Sequence, residues 1–448
     1  MKKLNKLFAI LVAMAMVLSL GIVSAFAATG DISQGSADAA INPKIKKTLN
    51  VAAGVAYPNL TFTFDFTQKS GNDIANYKDA NGTALKASDY STVAKPIESK
   101  SVTFTGKTAT GNEVQSVEMF NWATGHDTAY ASAGQYAYVV TENKTTFTSA
   151  YGATDKVKDE VVYDQNDYFV TVYVANGENG TTFVKYVTVQ KITKNQDGTF
   201  TLGEKEKVEG ANEGTDGTNN GFKFDNTYKK EINPGTIVPP TDKVYTLVLD
   251  KVVTGDLGDK NKKFDFSVTV TNPATDNTAI TAIIVNGTGE NTKYVKETDG
   301  AFSYVTNKED ATVYTFTSGT AENIKLANGD ELFFTSIPFG ATYKIQETDA
   351  DVNYKTGIAY TDYAANPVAQ TMTQEQAATA AKTIGANPAL VFTDNHETGN
   401  YATYTNEYNS TTPTGILINN LPYIALALVA IGGLVAYVVV RRRQSDEA

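Results

Sequence analysis

Lys47, Glu142 and Asn226 recur further along the chain as Lys251, Glu347 and Asn406. The Lys-to-Glu separations are 95 and 96 residues, and the Glu-to-Asn separations are 84 and 59. Each residue sits in a short alternating stretch: Ile45-Lys46-Lys47-Thr48-Leu49 and Leu249-Asp250-Lys251-Val252-Val253 open the two sets. Tyr138-Val139-Val140-Thr141-Glu142 and Tyr343-Lys344-Ile345-Gln346-Glu347 follow, preceded by Gly134 and Gly340. Phe224-Asp225-Asn226-Thr227-Tyr228 and Tyr404-Thr405-Asn406-Glu407-Tyr408 close them. In a strand, residues of equal parity share a face, so all six polar side chains point the same way as their apolar neighbours. Such groups are costly to bury unless they meet.

If they meet, burial makes them reactive. Desolvation lowers the lysine pKa, exposing a neutral amine, and raises that of the glutamate, which keeps a proton. The amine can attack the carboxamide carbon of asparagine while the glutamic acid bonds the amide oxygen and relays protons to departing ammonia. The product is a Lys–Asn isopeptide bond, made once and without a cofactor. Glu142 and Glu347 are the candidate catalytic residues, and Lys47–Asn226 and Lys251–Asn406 the candidate cross-links. For one triplet alone, a buried Lys–Glu pair satisfied by the asparagine, or side chains snorkelling outward, would be the better explanation. Recurrence at matching positions favours the cross-link. Closing the 180 residues from Lys47 to Asn226 would contribute roughly 5 kcal/mol on the chain-entropy argument used for disulfides.

The elements that must position these groups read as strands. LTFTFDF (60–66), YFVTVYV (168–174), FVKYVTVQKI (183–192), YTLVLDKVV (245–253), FDFSVTV (264–270) and YKIQE (343–347) alternate apolar or aromatic residues with polar ones. With 25 Tyr and 21 Phe, they suit half-buried pleated surfaces and predict an all-β, antiparallel sandwich architecture. Helical periodicity is confined to a short stretch around Gln374 to Ala381. The proline-containing run KKEINPGTIVPPTD (229–242) marks a short extended linker between two units, and 203–220 a polar, Gly-rich surface loop. The expected division is 1–27 signal peptide, 28–42 short N-terminal segment, 43–230 first unit, 231–242 linker, 243–410 second unit and 411–448 tail.

The formal net charge is -11, and arginine occurs only at 441–443. Setting aside Lys2, Lys3, Lys6, Arg441–Arg443, Asp446 and Glu447 leaves 32 basic against 47 acidic residues. An acidic body does not displace phosphate counterions, so nucleic acid is not an expected partner. Lys2-Lys3, the apolar run Leu7–Val23 and Ala25-Phe26-Ala27 form a secretory signal with a small-residue cleavage site. Exported chains commonly carry disulfides, yet cysteine is absent, which excludes thiol catalysis and leaves the structural cross-link to other chemistry. Near the other end, Ile416–Val440 is apolar over a bilayer's span and is followed by three arginines.

The Tyr-x-x-x-Glu pattern with a following Tyr (Tyr151, Tyr354), the opening lysines and the closing aromatic-x-Asn-x-Tyr resemble the E-box and isopeptide positions of Gram-positive backbone pilins. The likeness spans essentially the whole chain and is greatest to the streptococcal two-domain type. It implies tandem immunoglobulin-like (Cna-B-type) β-sandwiches, framed by a signal peptide and a C-terminal transmembrane sorting helix. It implies a structural subunit, not an enzyme beyond one self-cross-linking turnover. In that family a pilin-specific sortase cuts the sorting motif, here Pro413-Thr414-Gly415, between Thr and Gly. The threonine is then joined to a lysine of the next copy, and Lys205, Lys207 and Lys223 are the candidate acceptors. The implied partners are other copies of the chain, minor pilins, and peptidoglycan through a housekeeping sortase; insertion in the membrane is transient and the destination is the cell wall. Two departures stand out. The chain has TPTG (412–415) in place of LPxTG, with Leu421-Pro422-Tyr423-Ile424-Ala425 a decoy inside the apolar run. Nor is there a Tyr-Pro-Lys motif, Tyr57-Pro58-Asn59 coming nearest.

Other constellations carry less. His126 and His396 lie in different units among polar neighbours and read as solvated loop residues, so no metal site is expected. Asp349-Ala350-Asp351-Val352-Asn353 lacks the glycine and terminal glutamate of a calcium loop. Gly287-Thr288-Gly289 lacks the third glycine of a dinucleotide site, and Trp122 decides nothing. The rival readings are a wall-anchored adhesin using the same domains as a stalk, and a membrane-held hydrolase for which two histidines and no cysteine offer little chemistry.

Overall fold

The computed structural model describes residues 43–408, apart from 121–129, 207, 209–220, 275, 350, 366–367 and 395. The signal, the apolar tail, Pro413, Thr414, Gly415, Lys207, Trp122 and His126 lie outside the described residues.

In the first half, β1 spans Lys44–Asn50, β2 Ala56–Tyr57, β3 Leu60–Lys69 and β4 Tyr77–Lys78. β5 lies at Lys100–Phe104, β6 at Lys107–Thr108, β7 at Glu113–Glu118 and β8 at Gly134–Glu142. β9 (Val157–Val162), β10 (Tyr168–Asn176), β11 (Thr182–Lys194), β12 (Phe200–Leu202) and β13 (Lys223–Ile232) complete it. One sheet runs β7-β1-β13-β9 and a second β4-β12-β11-β10-β8-β3-β5. The sheets face each other, Phe64 of β3 packing on Phe224 of β13 with ring centres 4.9 Å apart.

The second half repeats the plan. β14 spans Leu247–Thr254, β15 Phe264–Thr271, β16 Ile280–Asn286, β17 Lys293–Thr298 and β18 Ala301–Val305. β19 (Tyr314–Phe316), β20 (Ala321–Leu326), β21 (Asp330–Ser336), β22 (Thr342–Glu347) and β23 (Tyr354–Thr361) follow. The last elements are β24 (Ala369–Met372), α1 (Gln374–Thr379), β25 (Thr383–Ile384), β26 (Leu390–Val391) and β27 (Asn400–Tyr408). One sheet runs β18-β17-β16-β21-β14-β27-β23-β24 and the other β20-β15-β22-β25. Phe266 of β15 meets Tyr404 of β27 edge-on at 5.2 Å, so these sheets also pack face to face. The fold is therefore all-β, as the alternation predicts.

Two local readings change and one holds. All seven residues Tyr168–Val174 of β10 are buried, although half were expected to face solvent. The outer face of β10 is covered by a second cluster of Ile74, Tyr77, Phe169 and Leu202. The run read as a linker begins inside a strand, since Lys229–Ile232 pair with β9. It is also anchored rather than free: Ile237 is buried, and the Asp242 carboxylate accepts from the Val238 N–H and from Lys156 Nζ, both at 2.7 Å. Finally, α1 forms where a short helix was expected, started by a capping box of Thr373 and Gln376.

The two halves touch through the end of β13. Lys230 accepts from the Phe339 N–H at 2.9 Å and sends its buried Nζ to Asp394 Oδ2 at 2.5 Å. Gly340, at φ +84°, lies so close to Ala52 that a Cβ there would come within 2.3 Å of the alanine methyl.

Candidate functional site

Alternation along β1 buries Ile45, Lys47 and Leu49 together, and alternation along β13 buries Phe224, Asn226 and Tyr228. The strands run parallel, with Lys47 opposite Phe224 and Leu49 opposite Asn226. Lys47 and Asn226 are thus diagonal neighbours on adjacent strands of one sheet. Glu142 comes from the facing sheet at the last residue of β8, opposite Phe64 of β3.

The second half reproduces each register. Lys251 lies opposite Tyr404 and Val253 opposite Asn406 on the parallel pair β14–β27. Glu347 ends β22 opposite Phe266. Lys47, Asn226, Lys251 and Asn406 are fully buried, and Glu142 and Glu347 nearly so. The fold brings together both sets of three residues singled out from the sequence.

In the first site, Lys47 Nζ lies 2.8 Å from Glu142 Oε1. The contact is close but not aligned as a hydrogen bond. Asn226 Nδ2 donates to the same Oε1 at 2.8 Å, and Glu142 Oε2 is buried without a hydrogen-bond partner. The amine sits over the Phe62 ring at 4.7 Å, with Phe224 at 5.9 Å. Burial pushes the Lys47 pKa down to about 8, against the opposing pull of Glu142, Asp164 and Asp225. Burial likewise raises the Glu142 carboxyl, partly offset by Lys47 and Asn226. Both shifts favour a neutral amine beside a protonated acid.

The second site is built alike but wired differently. Lys251 Nζ donates to Glu347 Oε2 at 3.0 Å, and Asn406 Nδ2 to Oε1 at 2.9 Å. Phe264 lies 4.1 Å and Phe266 5.8 Å from the Lys251 amine. Burial again lowers the lysine to about 8. Two further groups reach Glu347 Oε1: Thr356 Oγ1 at 3.3 Å and Lys382 Nζ at 3.1 Å. Lys382 is part-exposed and lines an open pocket with Thr356 and Glu375.

One detail departs from expectation. The glutamate was expected to bond the amide oxygen; at both sites it faces the amide nitrogen instead. That places the acid beside the leaving group. Thr356 and Lys382 are not among the residues that spacing singles out. Thr356 shares the parity of Tyr354, but α1 and the positive-φ pair Ala381 and Lys382 bring the lysine in, and no periodicity marks that.

The remaining candidates lie elsewhere. Lys223 is exposed, its Nζ 3.9 Å from Asp225 Oδ2, and Lys205 is half-buried with its pKa lowered by desolvation. His396, expected to be solvated, instead packs on Tyr245 at 4.8 Å and Phe339 at 6.0 Å. Asp349 and Asp351 share a turn and are bridged by Lys262 Nζ at 3.4 and 3.1 Å. Among the described residues no group of His, Cys, Asp or Glu is arranged to hold a metal ion.

A protein-family model described as "Domain of unknown function (DUF7601)" matches residues 245–387. A curated "Pilin" of Streptococcus pyogenes serotype M1 is 26% identical over 392 residues, covering 87% of each chain. Among solved structures, the major pilin from Streptococcus pyogenes aligns at 18% identity over 82% of this chain and 98% of its own, with a TM-score of 0.29. The major pilin protein T3.2 of the same organism aligns at 16% identity over 82% and 98%, with a TM-score of 0.27.

Proposed function

We propose that this chain is the structural shaft subunit of a covalently polymerised cell-surface pilus, each half locked by a self-made Lys–Asn isopeptide bond. The observation that carries the reading is the repetition, at identical registers, of a fully buried Lys–Glu–Asn set. A protein keeps two such polar clusters in apolar cores only if they return something. The likeness to a streptococcal pilin over 87% of both chains supports a non-enzymatic pilus role.

The chemistry follows from the contacts. Within the ion pair, the Lys47 ammonium passes a proton to Glu142, giving a neutral amine and a neutral acid. The Nζ lone pair attacks Cγ of Asn226, forming the Nζ–Cγ bond and placing the carbonyl electrons on Oδ1. As the oxyanion collapses, the Cγ–Nδ2 bond breaks. Glu142, within 2.8 Å of Nδ2, hands over its proton, takes the one released by Nζ, and passes that second proton to the departing ammonia. Lysine ammonium and carboxamide thus become a secondary amide and ammonium, and the glutamate is regenerated. Lys251, Glu347 and Asn406 follow the same course.

Polymerisation would use the other end of the chain. A sortase would cleave between Thr414 and Gly415, and the Thr414 acyl group would pass to Lys205, Lys207 or Lys223 of another copy. The signal at 1–27 would export the precursor, and the apolar tail would hold it in the membrane until cleavage. The test is a denaturing gel of cell-wall extracts: a ladder of covalent multimers, lost in Thr414→Ala, supports the shaft reading. Monomers alone would favour the adhesin stalk.

A further inference from the structure

The two sites differ at the oxygen of the reacting amide. In the first half, β9 stops at Val162, the partner of Thr227, one register position short of Asn226. The chain then turns through Tyr163–Asp167, and the backbone N–H of Asp164 donates to Asn226 Oδ1 at 2.8 Å. This turn is held by its own carboxylate. Asp164 Oδ2 accepts from the Asp225 N–H at 2.8 Å, and Oδ1 accepts from the Asn166 N–H at 2.8 Å and Asn166 Nδ2 at 2.6 Å. One side chain therefore ties the turn to the residue next to Asn226. In the second half, Thr356 of β23 lies opposite Asn406, and the buried Asn406 Oδ1 has no hydrogen-bond partner.

We infer that the Asp164 N–H is an oxyanion donor for isopeptide formation at the first site, and that the Asp164 carboxylate is the positioning group that aims it. Attack by Lys47 moves negative charge onto Oδ1. A donor already fixed at that atom in a low-dielectric core stabilises the charge without reorganising at the moment of reaction. Glu142 is occupied at Nδ2 with the leaving nitrogen, so donor and acid address different atoms of one amide. The second site has the acid without the donor, so its bond forms more slowly in the same molecule.

This inference rests on the isopeptide reading, and one experiment separates their failures. The full chain is made by cell-free synthesis, translation is stopped, and samples are quenched over time in acid and urea. Digestion and mass spectrometry follow each cross-linked peptide, and pulse proteolysis of parallel samples follows folding. The inference expects Lys47–Asn226 to form before Lys251–Asn406. Asp164→Ala should slow the first bond about tenfold or more, with the second bond and the onset of protease resistance unchanged. If Asp164→Ala does not fold, Asp164→Asn decides: it keeps one acceptor and should slow the first bond by a smaller factor. A wild-type rate at the first site in a folded variant overturns the inference, as does a delay that merely tracks folding. Absence of both bonds from the unaltered chain overturns the isopeptide reading itself.

Discussion

Lys47 and Asn226 are held one diagonal step apart on neighbouring parallel strands, because Lys47 is paired with Phe224 and not with Asn226 itself. Strand spacing and rise put such Cα atoms about 8 Å apart, a gap that an extended lysine and a short asparagine side chain bridge end to end. The same offset holds Lys251 and Asn406. Each link would join the first and last strands of one sheet, so that tension entering at one terminus crosses between strands without unzipping the ladder.

The glutamates should be indispensable one at a time. Glu142→Ala should abolish the Lys47–Asn226 bond and leave Lys251–Asn406 intact, and Glu347→Ala should do the reverse. Peptide mapping of each variant checks this. Retention of a bond without its glutamate would show that proximity alone suffices.

Rate should depend on pH as a bell. The reactive pair, neutral amine with neutral acid, carries the same number of protons as the ion pair, so between the two titrations the rate is flat. Above about 8, the value to which burial lowers Lys47, the pair loses that proton and none remains for the leaving nitrogen. At acid pH the carboxyl, raised by burial, is protonated while the amine stays charged. The initial rate after cell-free synthesis should fall on both sides. A rate that climbs steadily through pH 9 would contradict the glutamic acid's role.

Stability should distinguish the bond from the pair. Asn226→Ala prevents the bond but leaves Lys47 beside Glu142, so its loss should be roughly the 5 kcal/mol of chain closure. Lys47→Ala also strands a buried carboxylate and should cost about 3 kcal/mol more. Urea denaturation of the first half, followed by hydrogen exchange, gives the comparison.

Contact between the halves should depend on Gly340. Its φ of +84°, and the 2.3 Å at which an added Cβ would meet the Ala52 methyl, leave no room for a side chain. Gly340→Ala should cost at least about 1–2 kcal/mol in backbone strain and raise hydrogen exchange at Val51–Val55. Protection equal to that of the unaltered chain would contradict the packing.

Much of the candidate site was legible because it obeys the period of two. Lys47 shares parity with Ile45 and Leu49, and Asn226 with Phe224 and Tyr228, so inward placement could be read without coordinates. The Asp164 turn could not be read so, because its value lies in where β9 ends against β13, a matter of strand length and tertiary fit. Lys382 was hidden for a similar reason, delivered by two left-handed residues after α1. His396 looked solvated because its sequence neighbours are polar, yet its packing partners, Tyr245 and Phe339, lie about 150 and 57 positions away. The outer cover of β10 likewise comes from distant Tyr77 and Leu202.

The most direct test of the account is the intact mass of the folded full chain, compared with the same chain carrying Glu142→Ala and Glu347→Ala. Each isopeptide bond releases one ammonia, about 17 Da. The unaltered chain should be lighter than its sequence by two such losses, and the double variant should match its sequence. An unaltered chain at full sequence mass would contradict the account.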